Sequence, residues 1–291
     1  MNKLLMLLLP LLLLSCEKYS FDEDDMTVGE GECSVTFCVS ELEQIPFENA
    51  LETRAADLKS LCSRITLSVF SADEKVKNIN QQSSDGSFGS FTIGLAPGTY
   101  RVVVLAHNGQ GNATVSTPEK ITFASNKCTD TFYYYGEIEV TESFTQHLSL
   151  KRAVAAFRMK ITDAMPAEVA KMQFYYTGGS STFNAVSGYG CVNSKQTEPF
   201  DVTSDMKGQP TEFQVYTFPH AEEGTLKMTV SALGASGDVI CEKTFDALPV
   251  TLNKITCWAG TFFQPANVQQ SNTLSVSIDN DGEWAGMQEY Q

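Results

Sequence analysis

The side chains that could support catalytic or metal chemistry are few in this 291-residue sequence, and they stand far apart. There are three histidines, His107, His147 and His220. Only His220 has a carboxylate near it, in an H-x-x-E pattern that ends at Glu223 and follows Pro219 in a predicted turn. Metal sites with such spacing need a helix that aims both ligands at one ion. The histidines therefore predict no metal centre.

Two further patterns suggest chemistry but lack the context that it requires. Residues 204–207 read S-x-x-K, a nucleophile motif of acyl enzymes that works at a helix start, but here no companion motif and no helix pattern accompany it. Clustered carboxylates at residues 22–25 and 279–283 are ligands that Ca²⁺ prefers. The second cluster is explained more simply as a turn without a bound ion. Since no catalytic constellation is found, we expect a protein that is not an enzyme and needs no cofactor.

The cysteines indicate a structural rather than a catalytic use. There are eight, and none lies in a C-x-x-C pair. Cys33 and Cys38 lie on opposite faces of a predicted strand, which excludes a shared metal ion there. Without Cys16, which belongs to the leader described next, the number is odd, so at least one cysteine is unpaired within the chain. We expect mostly small buried thiols, with one or two disulfides allowed. The five cysteines not yet named are Cys62, Cys128, Cys191, Cys241 and Cys257.

The first 16 residues, MNKLLMLLLPLLLLSC, form a targeting segment rather than part of the fold. Their apolar run is shorter than the roughly 20 residues that span a bilayer as a helix. The ending L-x-S-C resembles the lipobox of bacterial lipoprotein signals, which implies cleavage before Cys16 and acylation of that cysteine by fatty acids such as palmitate. The alternative is a plain secretory signal with an incidental cysteine. We therefore expect residues 1–15 to be removed and lipid to anchor the mature protein.

The segment from 16 to 54 differs in charge from the rest of the chain. It holds eleven acidic residues against Lys18 and Arg54, in a chain whose formal charge is −15. Such a charge repels nucleic acid and anionic lipid, so neither is an expected partner. Acids directly after a lipidated cysteine resemble the surface-export signals of Bacteroidetes lipoproteins, and the same composition also suits a disordered tether. The resemblance implies a place on the outer membrane, exposed at the cell surface.

The rest of the chain alternates apolar and polar residues with a period of two, which is typical of β-strands. In CSVTFCVS the alternation places Val35, Phe37 and Val39 on one face. Many short strands at spacings of about ten residues predict an all-β fold built of β-sandwiches. The pattern restarts near residue 148, where we also expect one break in register. The two blocks of similar length, 55–148 and 149–291, predict two sandwich domains. A short PAEVAKM stretch is the single helical candidate.

Several of these stretches, taken in their order, resemble the Bacteroidales fimbrillins. The lipobox, the strand CSVTFCVS, then TRAA and RITLSVF resemble the N-terminal layout of that family, and APGTYRVVVLAHNG resembles its long strand after a glycine turn. The strand that opens the second fimbrillin domain resembles LKRAVAAFRMKITD. Its closing hairpin resembles LPVTLNKITCWAGTFF, and its last strand resembles LSVSIDNDGEW. The resemblance implies two transthyretin-like β-sandwich domains in tandem. It also implies a structural fimbrial (pilus) subunit or a lipid-anchored fimbrial accessory protein, with other fimbrial subunits as partners and adhesion as a further role.

The family pattern implies a route to assembly as well. In shaft subunits an arginine-directed protease cuts behind the first strand, and a strand of a neighbouring subunit fills the groove that opens, which is donor-strand exchange. Carried over to this sequence, the cleaved arginine is Arg54, the new N-terminus is Ala55, and the removable strand fills its groove with Val35, Phe37 and Val39. The last strand, TLSVSI, is the natural donor in that pattern. An anchor subunit keeps its lipid and is not cut, which would leave Arg54 as an ordinary loop residue.

A glycan-binding surface lipoprotein is the alternative to a fimbrial role. Its binding surface would consist of two or three coplanar, exposed aromatic rings. The candidates are Tyr133, Tyr134, Tyr135 and Tyr189. Burial of all four rings would count against this function.

Overall fold

The computed structural model describes residues 28–43 and 58–264, and the backbone of residues 287–289. These parts consist almost wholly of strands, which confirms the all-β class. The strands, in chain order, are β1 (Cys33–Glu43), β2 (Arg64–Ser71), β3 (Glu74–Gln82), β4 (Ser90–Leu95), β5 (Gly98–His107), β6 (Thr114–Thr117), β7 (Lys120–Thr122), β8 (Thr131–Val140), β9 (Phe144–Arg152), β10 (Ala155–Ile161), β11 (Val169–Gly179), β12 (Thr182–Asn184), β13 (Tyr189–Gly190), β14 (Ser194–Asp201), β15 (Thr211–Thr217), β16 (Glu223–Gly234), β17 (Val239–Thr251), β18 (Ile255–Gly260) and β19 (Met287–Glu289). The helical elements are α1 (Leu58–Leu61) and a 3-10 turn at Ala124–Asn126. In the described part of the chain, no helix is both long and apolar enough to cross a membrane.

Seven strands of the first half form one sheet, in the order β3-β2-β5-β8-β9-β1-β4. Alternating side chains from all parts of this sheet converge on one buried core, which we call the first core. Leu67 of β2 and Ile93 of β4 lie in this core together, although their strands are far apart in the sheet order. The sheet therefore folds over on itself as a sandwich. The bend lies at β8, which pairs with β9 only at Phe132 and Tyr133.

The second half is a sandwich of two four-stranded sheets. One sheet has the order β15-β10-β18-β19 and the other has the order β14-β11-β16-β17. Alternating side chains fill the space between them. Phe157 and Met159 come from β10, and Phe174 and Tyr176 come from β11. These side chains are fully or almost fully buried, so the second half has a core of its own.

A third, small sheet joins the two halves. Its order is β13-β12-β7-β6, so β7 of the first half pairs with β12 of the second. Around it lies a third apolar cluster, in which Phe123 stacks on Phe218 of the other half with 5.2 Å between ring centres. Nearby, buried Arg152 donates hydrogen bonds of 2.8 and 3.0 Å to the Asp130 carboxylate and one of 3.1 Å to Asn253. Apolar packing and the hydrogen bond from Arg152 to Asn253 thus connect the halves.

Two expectations about the second half have different outcomes. The break in register is confirmed, because β9 ends at Arg152 and β10 begins at Ala155 in another sheet. The helix expected at PAEVAKM is wrong, because this stretch is a turn followed by the start of β11. Val169 and Met172 enter the second core, and pairing of β11 with β14 and β16 outweighs the local helical preference. The division into two domains stays a prediction.

Candidate functional site

The first strand, β1, lies inside the seven-stranded sheet, although its partners come much later in the chain. It runs parallel to β9 and antiparallel to β4, so that Phe37 is opposite Gln146 on one side and Phe91 on the other. Directly before the start of β4, the Gly89 carbonyl accepts a hydrogen bond of 2.8 Å from the Val39 N–H. Backbone pairing along both edges therefore holds β1 as a central strand.

One face of β1 is buried, as the alternation predicts. Val35 and Phe37 are fully buried in the first core, and Val39 packs against it with part of its surface exposed. An irregularity between Val39 and Glu41 shifts the pairing, and Leu42 then returns to the core. Leu42 is a core contact that strict alternation misses, because one inserted residue reverses the faces of the strand behind it.

The other face of β1 is polar. The hydroxyl oxygens of Thr36 and Thr92 lie 3.0 Å apart across β1 and β4, and Cys38 lies 3.6 Å from the Ser90 hydroxyl. Cys33 packs against the first core instead, so the two cysteines of β1 lie on opposite faces, as expected. No disulfide links any two of the cysteines that the structure describes.

Among the described strands, β4 has no sheet partner other than β1. Its side chains Phe91, Ile93 and Leu95 are nevertheless buried in the first core. Removal of β1 would therefore open a groove with β9 on one side, β4 on the other and the core as its floor. Both edges of this groove would carry backbone N–H and C=O groups without partners. Such a groove suits an extended segment whose apolar residues repeat the spacing of Val35 and Phe37.

The residues expected to be modified or cleaved do not fall in the described part of the chain. β1 ends at Glu43 and α1 begins at Leu58, where the leucine side chain packs against the first core. Cleavage between these elements stays a prediction, and so do lipidation and the identity of the donor strand. The residues concerned are Cys16, Arg54, Ala55 and 273–278, and the acidic clusters at 22–25 and 279–283 also lie outside it.

The other four arginines of the chain occupy ordered strands. They are Arg64 in β2, Arg101 in β5, Arg152 in β9 and Arg158 in β10. Proteases cut accessible loops rather than residues that are paired within a sheet. Arg54 is thus the one arginine that lies in no described strand.

The tyrosines considered as a glycan platform are partly buried, and those of β8 do not all point to the same face of their strand. Tyr134 points to the first core, and its hydroxyl accepts a hydrogen bond of 3.2 Å from the Gln146 amide. Tyr133 and Tyr135 lie on the opposite face of β8 and pack against the third cluster, where Tyr133 meets Phe183 edge-on. Alternation along β8 therefore separates the rings.

Within the ranges that the structure describes, no three potential metal ligands come together. His147 is exposed on β9, and His220 Nδ1 lies 3.0 Å from the Gly190 carbonyl oxygen. His107, in contrast, is buried at the end of β5 and lines a cavity together with Thr129. No sequence motif predicts a function for His107 or Thr129. The only signal was a histidine that directly follows a buried strand.

Burial also makes two of the thiols unreactive. Cys62 lies in the first core and Cys128 in the third cluster. Burial raises the pKa of the Cys128 thiol to about 12, and it raises that of Cys62 further. Because the thiolate is the nucleophilic form of cysteine, both are structural residues at neutral pH.

Three similar solved structures come from Bacteroidales. A candidate adhesin from Bacteroides ovatus is 14% identical with a TM-score of 0.48, over 78% of this chain and 85% of that one. A candidate polysaccharide-binding protein from Bacteroides thetaiotaomicron is 14% identical with a TM-score of 0.46, over 72% of this chain and 80% of that one. The fimbrial anchor protein Mfa2 from Porphyromonas gingivalis is 9% identical with a TM-score of 0.42, over 73% of this chain and 82% of that one.

Sequence comparison gives a family but no function. None of the curated proteins compared with the chain matches it. One family model matches residues 26–291, which include β1 and both halves of the fold. The chain therefore belongs to the family of unknown function DUF6562.

Proposed function

We propose that this chain is a fimbrial subunit, or a lipid-anchored accessory protein of a fimbria, that can exchange its first strand. The observation that carries the proposal is the place of β1, which fills the gap between β9 and β4 and precedes all other strands in the chain. The segment that joins β1 to the body contains Arg54. A single cut there would free β1, because no other described strand lies on the same side of the cut.

The vacated groove would bind a replacement strongly. β1 buries Val35, Phe37 and Leu42 in the first core, and full burial of such a side chain contributes about 1.5–3 kcal/mol. Two strand edges would lose their hydrogen-bond partners at the same time. A donor strand restores both contributions if it repeats the apolar spacing of β1. The sequence TLSVSI near the C-terminus has this alternation, and we propose it as the donor.

The proposed location is the outer face of the outer membrane. Acylation of Cys16 would hold the uncut chain there, and the acids that follow this cysteine favour its export. A cut after Arg54 would remove the lipid and β1 together, and the chain would then join a fimbria with other subunits. Without the cut, the chain would remain as a fimbrial anchor or a separate surface lipoprotein. In both cases the proposed role is structural and adhesive, not catalytic.

A cleavage and replacement experiment tests the exchange. The chain from residue 17 onward is treated in its folded form with an arginine-specific protease, and the products are identified by mass spectrometry. We expect one cut, after Arg54, because the other four arginines lie in strands. A labelled peptide of residues 28–43, added in excess, should then replace the β1 that was cut off. Replacement follows because the peptide can fill the same groove.

Two matched controls make this experiment decisive. The Arg54→Ala chain should resist the protease and take up no peptide. A peptide in which Val35 and Phe37 are both changed to Asp should not enter the groove, because two charges would be buried without partners. Equal uptake of both peptides, or cuts within the strands at their arginines, would rule out specific exchange of β1.

A further inference from the structure

One sheet of the second half, with the order β14-β11-β16-β17, turns a polar face to solvent. Its other face forms part of the second core, to which β11 contributes Phe174 and Tyr176. Tyr175 lies between them and therefore points outward, with 40% of its surface exposed. Among the large apolar side chains that the described residues expose, Tyr175 is the only aromatic one. The exchange of β1 does not use this face, which belongs to the other half.

Tyr175 lies in a row of side chains that crosses all four strands. It is opposite Thr197 of β14 on one side and Thr229 of β16 on the other, and Thr229 is opposite Thr244 of β17. Thr197 and Thr244 are exposed and Thr229 is half-buried, with 3.2 Å between the hydroxyl oxygens of Thr229 and Thr244. Because neighbouring strands are about 4.8 Å apart, the row is about 14 Å long. We call these four residues the tyrosine row.

The charges beside the tyrosine row balance each other. Two positions from the row along their strands lie Lys195 and Lys227, and likewise Glu242 and Asp246. Lys227 pairs with Asp246 at 3.1 Å, and the Ser231 hydroxyl donates to Glu242 at 2.8 Å. This surface is therefore locally neutral, although the whole chain has a formal charge of −15. A neutral ligand can approach it without repulsion, whereas an anion would meet the field of the acidic chain.

The side chains of this surface suit a carbohydrate better than a protein partner. Protein interfaces have an apolar centre, whereas the neighbours of Tyr175 in the row are threonines. Each sugar hydroxyl both donates and accepts hydrogen bonds, as a threonine hydroxyl does. The C–H groups on one face of a sugar ring pack against an aromatic ring, and tyrosine combines such an apolar body with a polar tip. The paired strands hold all four side chains in place before binding, which lowers the cost of ordering them.

We infer that the tyrosine row binds a neutral glycan chain that lies across the strands. One sugar ring stacks on Tyr175, and the threonine hydroxyls on both sides bond the hydroxyls of this ring and of its neighbours. The inference rests on the proposed function, because it names a ligand class for the adhesive part of that role. It requires only the folded chain and not the departure of β1.

Nuclear magnetic resonance of the chain from residue 17 onward, with isotope-labelled tyrosine rings, tests the site. The probes are four neutral oligosaccharides, namely cellohexaose, xylohexaose, mannohexaose and maltohexaose. Each is added up to about 5 mM, which exceeds a weak Kd of about 1 mM. We expect at least one of them to shift the ring signals of Tyr175, while those of Tyr133 and Tyr135 in the first half stay in place. The Tyr175→Phe chain identifies the Tyr175 signals, because its spectrum lacks them.

Three variants separate stacking on the ring from a mere loss of exposed surface. Saturation-transfer measurements, which observe the sugar, compare their affinities. Tyr175→Phe keeps the ring and should bind within about twofold of the wild type, whereas Tyr175→Ala should bind at least about tenfold more weakly. Val239→Ala shortens another exposed side chain of the same sheet, so it is the control and should bind as the wild type does. All three changes lie at exposed positions, and chemical denaturation checks that each chain is folded.

Two kinds of result would overturn the inference. One is that no sugar shifts the Tyr175 signals of the folded chain, or that Tyr175→Ala binds as well as Val239→Ala. The other is that the sugar-free wild type sediments as a dimer while Tyr175→Ala sediments as a monomer, because a second copy would then be the occupant of this face. Both results would leave the exchange of β1 standing, because the peptide experiment measures the other half of the molecule.

Discussion

His107 is neutral because the end of β5 is buried, and this has a consequence for stability. In the unfolded chain its pKa returns to the ordinary histidine value of about 6.5, whereas the fold lowers the pKa to about 4. Between these two values the unfolded chain binds more protons than the folded one. Falling pH therefore favours unfolding, and stability that is present above pH 6.5 is lost as the pH falls toward 4.

We expect His107 alone to lower the free energy of unfolding by about 3 kcal/mol between pH 7 and about pH 4. The His107→Gln variant lacks this titration, so its stability difference from the wild type should shrink across the same range. Urea unfolding at several pH values measures the difference, and His147→Gln controls for the loss of an exposed histidine. A stability difference that does not change with pH would show that the fold does not hold His107 neutral.

The burial of His107 could be predicted from the sequence, but its contacts could not. It ends a strand whose residues 102–106 form a continuous apolar run, and such a run is typical of a strand that is buried on both faces. Gly109, whose N–H donates to His107, and Thr129, which lines the same cavity, come from two different loops. These loops meet because β5 pairs with β8, and the pattern of a single strand does not show which strand lies beside it.

At the scale of elements, the sequence predicts which face of β1 is buried but not which strands lie beside it. Alternation in CSVTFCVS predicts the burial of Val35 and Phe37, and the structure confirms it. Parallel pairing with β9 and antiparallel pairing with β4 join residues that are far apart in the chain, so no local pattern encodes them. The wrong helix at PAEVAKM has a related cause, because strands on both sides of β11 decide its conformation. The short strands β6, β7, β12 and β13 also fall below the length at which alternation is informative.

We expect Phe37→Ala to lower the free energy of unfolding by about 3–5 kcal/mol, because it removes a fully buried ring from the first core. Thr36→Ala, on the outer face of the same strand, should cost about 1 kcal/mol or less, since it removes one exposed hydrogen bond. Chemical denaturation of the two variants gives this comparison. Equal losses would mean that β1 does not pack into the first core.

At the scale of the whole molecule, the two halves share a sheet and an apolar cluster. Strands of both halves pair in the small sheet, and Phe218 of the second half stacks on Phe123 of the first. The ion pair of Arg152 with Asp130 lies where the chain passes from one half to the other. The sequence predicts two sandwiches in tandem, and it contains no signal for this junction, because its contacts come from short strands and scattered aromatic residues.

We expect the two halves to unfold together. Phe218→Ala should cost about 3–5 kcal/mol, since it removes a fully buried ring from the shared cluster. Hydrogen exchange followed by mass spectrometry should then show an equal loss of protection in β5 of the first half and β16 of the second. Thr229→Ala, at a half-buried position on β16, controls for mutation of the second half alone. Faster exchange confined to β16 in the Phe218→Ala chain would indicate that the halves unfold independently.

The N-terminus of the protein on its native cell surface decides most directly whether β1 is a removable strand. Intact mass and N-terminal sequencing of the protein recovered from that surface provide the measurement. Strand exchange predicts a chain that begins at Ala55 and is found in assemblies of high molecular weight, without Cys33 and Cys38. A chain that begins at an acylated Cys16, with no ladder of assemblies, would contradict it. Arg54 would then be an ordinary loop residue, and the protein would be an anchor or a separate surface lipoprotein.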